Sequence, residues 1–411
     1  MRKWLSMILI LSVLIASIII SSDEYEAVVN EEQMTDALGE YFSQREVEFL
    51  GTEESTTWSI NTTEHEQAIQ AWKEELNIDL RSVDISYSIR EIVSNTANEV
   101  QLLVYEWVMI DYVCIGHENV VETMGFGTDH LVTFSMDDNE LQLSNDIYSE
   151  IIGYEQGTEK ELEVLQDTLG NVVEEALLSD CQLTMETYAI GTSNYNASNA
   201  VSYSNQWCGY NVAGGSSGTM TTSNYNPAFY YYNGADCCNF VSQCLYAGGM
   251  AMEDPWYAVL NKGTIPKEDG DYTKSKSAWR YTPDFQTYWT GKGYTVTHIT
   301  TATQAVIGNP IYWLKRDGYS SNHVMLIVGT NSAGQVLVNA HNNDAYRYPI
   351  TLSSKKYYTL DVAHNYKTVI AKTATTHARR CTLCSQVKIE AHNFLAEGGG
   401  VYMCGVCGYT K

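Results

Sequence analysis

The chain has 411 residues, of which 44% are hydrophobic, and its formal net charge is −26 at pH 7. This length allows two or three domains with real cores, and the hydrophobic fraction excludes a wholly disordered protein. The acidic balance argues against binding to nucleic acid or to anionic lipid, because both select basic surfaces.

The N-terminus has a basic start followed by an apolar run. Arg2 and Lys3 precede an uncharged stretch over residues 4–20, and a polar exit leads to Asp23. This order is typical of an export signal, so residues 1–22 are predicted to be a cleaved signal or an N-terminal anchor. The protein is therefore predicted to be secreted or to lie on the extracellular face of the membrane or cell wall. Any membrane contact is expected through this segment alone.

The next segment is strongly acidic. Residues 23–55 contain 11 Asp or Glu and a single basic residue, Arg45. Such charge runs are usually solvated, so this segment is predicted to be an acidic linker that contains at most a short helix around Gln33 to Phe42.

Residues 56–155 change pattern and are predicted to form an α+β accessory domain. A helix is expected after the capping box at Thr63 and Glu66, and alternating apolar residues predict strands over 83–89, 100–112, 130–136 and 141–147. A structural or targeting role and an inhibitory pro-domain both remain open. Residues 156–193 are predicted to be a connector, helical over 158–179 because leucines and valines recur on one face.

A cysteine motif lies near the middle of the chain. Asp236 is the expected N-cap of a helix that begins with Cys237 and Cys238 and ends at Gly248. A cysteine at a helix N-terminus feels the positive end of the helix dipole, which favours the thiolate. The arrangement predicts a cysteine nucleophile at Cys237.

The partner of this cysteine must be a histidine from another element. His323 stands at the start of an apolar strand, where it can reach a helix N-terminus. A third polar group should orient its imidazole. The next predicted strand supplies His341, which is preferred, and Asn339 as the alternative.

The motif resembles the signature of the putative amidase domain family. The resemblance rests on the cysteine run at 236–249, an upstream helix with a Tyr-Asn start and a Trp end at 195–207, and Ala-His-x-x-Asp at 340–344. It covers about 194–372, under half of the chain. The family is similar to NlpC-type and CHAP cysteine peptidases, which implies a papain-like fold.

The resemblance implies hydrolysis of an amide bond through a thioester, with a peptide or cell-wall amide as substrate. It implies Cys237 as nucleophile, His323 as base and His341 as orienter. Cys238 departs from the family pattern, which usually has a small residue there, and leaves an alternative nucleophile or a vicinal disulfide. A tyrosine among residues 230–232 or the Cys237 backbone N–H is expected to bind the oxyanion. An inactive wall-binding module and a transglutaminase-like cross-linker remain as alternatives.

The C-terminus carries two cysteine pairs. Cys381 and Cys384 are separated by 19 residues from Cys404 and Cys407, which is the spacing of a zinc ribbon. These four cysteines are predicted to bind a structural zinc ion that takes no part in catalysis. Two disulfides are the alternative.

The fold class is therefore predicted as α+β, with a papain-like hydrolase domain between an accessory domain and a zinc-ribbon-like tail. The predicted segments are 1–22 (export signal or anchor), 23–55 (acidic linker), 56–155 (α+β accessory domain), 156–193 (connector helix), 194–375 (papain-like putative amidase domain) and 376–411 (zinc-ribbon-like segment).

Overall fold

A computed structural model of the chain describes most of its residues. The predicted export segment and the second half of the predicted connector helix lie outside the described residues. Within the part of the chain that is described, no helix is long and apolar enough to cross a membrane. The described ranges are 29–51, 62–137, 140–168, 195–208, 224–232, 234–314, 321–342, 344–353, 356–362, 368–380, 387–392, 394–398, 401–404 and 407–410.

The first described helix, α1 (Glu31–Leu50), lies within the segment predicted to be an acidic linker. Asn30 and Gln33 form a capping box, and Gly51 ends the helix in the left-handed conformation. One face of α1 is buried, including Leu38 and Phe42, and packs into the main core. The linker prediction is therefore wrong for these residues, since a buried apolar stripe outweighs the acidic side chains on the solvated face.

The accessory region consists of one helix and a set of antiparallel strands, as the sequence predicts. These elements are α2 (Thr62–Leu76), β1 (Ile78–Asn95), β2 (Glu99–Cys114), β3 (Val121–Asp137), β4 (Glu140–Ser149) and the short β5 (Glu155–Gln156). Helix α3 (Glu159–Thr168) follows, within the predicted connector.

The second half of the chain alternates helices and strands before it turns to strands alone. Its elements are α4 (Ala197–Trp207), β6 (Tyr230–Tyr231), α5 (Cys237–Ala247), β7 (Lys267–Glu268), α6 (Ser277–Arg280), α7 (Thr282–Gly291), β8 (Thr295–Ile299), β9 (Pro310–Leu314), β10 (Ser321–Thr330), β11 (Val336–Ala340), β12 (Ala345–Ile350) and β13 (Tyr357–Asp361).

One eleven-stranded sheet runs through both halves of the molecule. Its main path is β1-β2-β3-β12-β11-β10-β9-β13-β8, and β4 and β5 continue from β3. The connection between the halves is antiparallel and short, with Ala345 opposite Phe126 and Tyr346 opposite Gly125. The chain therefore has a mixed α+β fold built on a large antiparallel sheet.

The two faces of this sheet form different cores. Met325 and Ile327 of β10 pack on the face covered by α1 and α2, whereas Val324 and Leu326 pack against α5 and its neighbouring helices. This alternation follows from the two-residue period of a strand. The first core is continuous from α1 to β13, so the accessory region and the second half share apolar packing.

A buried charge network lies among α1, α2 and the accessory strands. Arg45 of α1 forms ion pairs with Glu106 and Glu150. His130 lies 2.9 Å from Asp146 and 3.2 Å from Glu106. Because buried charges are costly unless they are paired, this network holds α1 in one register against the sheet. Its members are Arg45, Glu48, His65, Glu106, His130, Asp146 and Glu150.

The C-terminal segment forms two small separate sheets. The first contains β14 (Thr368–Lys372), β15 (Thr376–Arg380) and β16 (Val387–Ala391), and the second is the hairpin of β17 (Phe394–Gly398) and β18 (Val401–Cys404).

Candidate active site

Cys237 is the first residue of α5 and is half-buried. The following residues, 238–245, are all buried. Cys238 is fully buried in the core around α5, and both cysteines are free thiols. The two neighbouring cysteines therefore differ in burial, and Cys237 is the less buried of the two.

Two donors approach the Cys237 sulfur. The backbone N–H of Val324 hydrogen-bonds to it, and Thr282 Oγ1 lies 3.9 Å from Sγ. Burial raises the pKa of Cys237, and these two contacts lower it only in part, so the net pKa is raised. The expected net shift toward thiolate is therefore wrong, because desolvation disfavours the charged sulfur. The resting site holds a protonated thiol.

His323 lies in β10, one residue before the N–H that contacts the sulfur. Its side chain is buried, and its backbone pairs with Trp313 of β9. The fold thus brings the first residues of β10 to the N-terminus of α5, which is the approach that the sequence predicts.

Asp236 and His341 form a buried pair directly behind Cys237. His341 Nδ1 lies 2.7 Å from Asp236 Oδ2, and His341 Nε2 lies 2.6 Å from the Trp207 carbonyl oxygen. Burial lowers the pKa of His341, but Asp236, Asp344 and the Trp207 carbonyl together raise it, and the net pKa is raised. Because both ring nitrogens face acceptors, His341 donates from each as an imidazolium.

This geometry differs from both predicted contacts. Asp236 occupies the N-cap position, but its side chain makes no capping bond; it accepts instead from the Tyr232 N–H and from Asn239 Nδ2. His341 contacts Asp236, whereas the predicted partner of His341 was His323. The alternative, Asn339, is also engaged elsewhere: it donates to Ser204 and Asn205 of α4, at 3.0 and 2.8 Å, and accepts from the Arg347 N–H.

The turn after β11 links the start of α5 to the accessory strands. The Asp236 N–H donates to Asn342 Oδ1, and the Asn342 N–H donates to Asp344 Oδ1 at 2.9 Å. Asp344 Oδ2 in turn accepts from Tyr105 of β2 at 2.6 Å and from Asn224 at 2.7 Å. The position of Cys237 thus depends on contacts that extend into the accessory region.

Most polar residues of the cysteine motif anchor α5. Asn239 accepts from the Trp279 indole at 2.7 Å, and Ser242 donates to the Trp279 carbonyl at 2.8 Å. Gln243 accepts from the Tyr203 hydroxyl at 2.6 Å. These residues therefore fix the helix in place.

The upstream helix packs against the end of this motif. The Tyr195 hydroxyl donates to the Gly308 carbonyl at 2.5 Å, and the Asn196 N–H donates to the Gly248 carbonyl at 2.7 Å. A Cβ at Gly248 would overlap the Tyr195 ring, so glycine is required there. The Tyr-Asn start and the Gly-Gly end of the two sequence motifs are thus one packing unit.

The tyrosines before α5 have different environments. Tyr232 is buried, its hydroxyl lies 2.5 Å from Ser275 Oγ, and its ring stacks on Tyr272. Tyr232 is therefore not available to bind an oxyanion. Tyr231 stacks on Tyr225 at 4.1 Å, and the Tyr225 ring meets His341 edge-on. Tyr230, Tyr231 and the Cys237 backbone N–H remain as candidate donors.

The four predicted metal ligands divide into two pairs. Cys381 and Cys384 lie outside the described residues. Cys404 and Cys407 lie beside two histidines, His377 and His392, and one donor atom from each of these four residues lies within 4.8 Å of the others.

Sequence reasoning missed three contributors to the site. Thr282 and the Val324 N–H contact the Cys237 sulfur, and the Asp236 carboxylate pairs with His341. Thr282 carries no motif of its own. Asp236 directly precedes Cys237. Its acidic side chain was the one sequence feature that could have indicated a buried partner for His341.

Comparison with curated proteins and with solved structures found no match. Comparison with family models found one for part of the chain. Residues 194–362 match the model of a family described as a putative amidase domain, which confirms the predicted resemblance and supports amide hydrolysis as the general activity of this segment.

Proposed function

We propose that the segment matching the amidase family is a cysteine-dependent amide hydrolase in which Cys237 is the nucleophile and His323 the general base. The observation that carries this proposal is the hydrogen bond from the Val324 N–H to the Cys237 sulfur, because it brings the strand that bears His323 to the thiol. The partial accessibility of Cys237 supports the same assignment.

The raised pKa of Cys237 determines the order of proton transfers. His323 removes the thiol proton as the sulfur attacks the amide carbonyl carbon, and the C–S bond forms. The same imidazolium then protonates the leaving nitrogen as the C–N bond breaks, which leaves a thioester. Water, deprotonated by His323, attacks the thioester and releases the acid and the thiol.

Backbone N–H groups at the start of α5 are suited to the negative oxygen of the intermediate. The first N–H groups of a helix have no partner within the helix and point outward at its N-terminus. The Cys237 N–H belongs to this set because α5 begins there. The half-buried Tyr230 and Tyr231 precede the helix and are the side-chain candidates.

In this proposal His341 is a positioning residue that acts through Asp236. Its imidazolium holds the Asp236 carboxylate, and the Asp236 N–H is held by Asn342. Both contacts fix the backbone that carries the nucleophile, which keeps the sulfur within reach of the base. Thr282 provides a further weak contact to the sulfur.

The substrate, location and fold family of this site are part of the proposal. We propose a cell-wall peptide or related amide as substrate, an extracellular location reached through residues 1–22, and a papain-like arrangement of the hydrolase segment. The support is the sequence resemblance to cysteine peptidases and the signal-like N-terminus.

The test combines a thiol-reactive amide probe with defined cell-wall fragments. We expect labelling and amine release in the native protein and in Cys238→Ala, and loss of both in Cys237→Ala, by about 10⁴-fold or more for the rate. Labelling that follows Cys238 overturns the assignment. Absence of labelling in reduced native protein indicates a binding module, and product that gains an added amine indicates a cross-linking enzyme.

A further inference from the structure

The C-terminal cluster consists of His377, His392, Cys404 and Cys407. The two Nδ1 atoms lie 3.4 Å apart. The Cys407 sulfur lies 3.4 Å from His392 Nδ1, and the Cys404 sulfur lies 3.9 Å from His377 Nδ1. His377, Cys404 and Cys407 are buried and His392 is half-buried.

These separations fit a single tetrahedral ion. Zinc binds nitrogen at about 2.05 Å and sulfur at about 2.3 Å, so tetrahedral angles separate two nitrogens by about 3.3 Å and a nitrogen from a sulfur by about 3.6 Å. The observed distances of 3.4, 3.4 and 3.9 Å lie close to these values. Two thiols and two imidazoles are also a donor set that zinc prefers.

The surroundings of His392 prepare its Nδ1 atom for a metal. His392 Nε2 lies 2.8 Å from the Thr373 carbonyl oxygen, an acceptor, so the ring donates a proton there. The neutral tautomer with Nε2–H leaves the Nδ1 lone pair directed at the cluster. Tyr409 stacks on the ring at 4.8 Å and fixes its plane.

The cluster joins the two small C-terminal sheets. His377 lies on β15 and His392 directly follows β16, whereas Cys404 ends β18 and Cys407 lies in the next turn. Cys404 and Cys407 are buried, whereas Ile389 is 71% exposed. In a C-terminal segment of this size a metal would supply folding energy.

We propose that this cluster binds one zinc ion through two histidines and two cysteines, as a structural site. The assignment differs from a four-cysteine ribbon in that Cys381 and Cys384 are not ligands. Four protein ligands fill a tetrahedral zinc and leave no open position for substrate, so the ion would hold β14–β16 against β17–β18.

X-ray absorption at the zinc edge of the full chain, loaded with zinc alone, tests the ligand set without any substitution. We expect two nitrogen and two sulfur neighbours, at distances of about 2.05 and 2.3 Å. A single sulfur shell at about 2.3 Å overturns the proposal in favour of four cysteines. A protein that binds no zinc and holds Cys404 or Cys407 in a disulfide overturns it as well.

Zinc content of matched variants provides the second test. We expect His377→Ala/His392→Ala to lose the bound zinc, and Cys381→Ser/Cys384→Ser to keep it. The control is His117→Ala, because His117 is exposed and lies outside the cluster. Retention of zinc by the double histidine variant, or its loss from the Cys381→Ser/Cys384→Ser variant, overturns the assignment whatever the state of the fold.

Discussion

Both halves of the molecule bury a histidine against a carboxylate, but in different settings. In the accessory region His130 lies between Asp146 and Glu106, and the Arg45 guanidinium closes the network. At the second site the His341–Asp236 pair adjoins Cys237, a half-buried residue. The pair itself is therefore no sign of catalysis; what distinguishes the second site is a free cysteine next to the pair in sequence, at the N-terminus of a helix.

The largest expected effect is on stability, from removing the cation of the buried charge network. Arg45→Met removes the guanidinium from the buried Glu106 and Glu150 and leaves each of them with a histidine alone, so we expect the free energy of unfolding to fall by about 3–5 kcal/mol. Urea denaturation measures this loss. The control is Arg81→Met, which removes an exposed pair with Asp79 and should change stability by under about 1 kcal/mol. Equal losses in the two variants would contradict the structural role of the network.

The same network should make stability depend on pH. Burial lowers the pKa of His130, but Asp146 and Glu106 raise it to about 9, above the ordinary value of 6.5. Its contribution is therefore complete below about pH 6.5 and is lost as the pH rises to about 9, which amounts to about 3 kcal/mol. Burial raises the pKa of Glu106, but Arg45 and His130 together lower it to about 2 from 4.5, so that contribution is lost as the pH falls from about 4.5 through 2.

Unfolding free energies at pH 5.5 and 8.5 measure the alkaline part of this dependence. We expect the native protein to be less stable at pH 8.5, and His130→Asn to show a smaller difference between the two values. An unchanged pH difference in His130→Asn would show that His130 is not the group that titrates.

A matched pair of Asp→Asn variants sharpens the comparison of the two sites. Asp236→Asn removes the charge that holds His341 behind the nucleophile, and we expect kcat to fall by about 10–100-fold with KM little changed. Asp146→Asn removes the equivalent charge at His130 and should lower only stability, by about 1–3 kcal/mol. Comparable kcat losses in the two variants would contradict the distinction between them.

The smallest expected effect comes from Thr282, whose hydroxyl contacts the Cys237 sulfur at 3.9 Å. This contact lowers the pKa of the thiol, so Thr282→Val should shift the pH dependence of Cys237 alkylation upward and slow amide hydrolysis about two- to fivefold. Thr287→Val, an exposed position on the same helix, is the control. An alkylation profile identical to that of the native protein would remove Thr282 from the site.

The sequence predicts local secondary structure better than it predicts which distant residues contact each other. The strands over 78–149 and the helix that begins at Cys237 follow from alternation and from motif, because each depends on neighbouring residues. Helix α1 carries Met34, Leu38 and Phe42 at helical spacing, but its acidic residues favoured a linker on composition alone. The number of charged residues in a segment does not reveal whether one face of that segment packs against a core formed by another part of the chain.

Long-range contacts were harder to predict for a physical reason. Asp236 and His341 are 105 residues apart, and they meet only because β11 ends beside α5. The C-terminal ligand set shows the same limit, since cysteine spacing favoured four thiolates while strand pairing brings two histidines to the cluster. In both cases the sequence identified the residue types, whereas register and packing determined which of them meet.

The sheet and the core that the two halves share bear on whether the accessory region could be a pro-domain that is cleaved off. β3 pairs with β12, and one continuous apolar core extends from α1 to β13. A pro-segment that is removed by proteolysis must be able to leave without unfolding the rest of the protein, because the remaining part has to stay folded and active. Loss of the accessory region would instead leave β12 as an unpaired edge and uncover the apolar face of the remaining sheet, both of which promote aggregation. The shared sheet and core therefore argue that the accessory region stays with the second half of the fold, and against a removable inhibitory pro-domain.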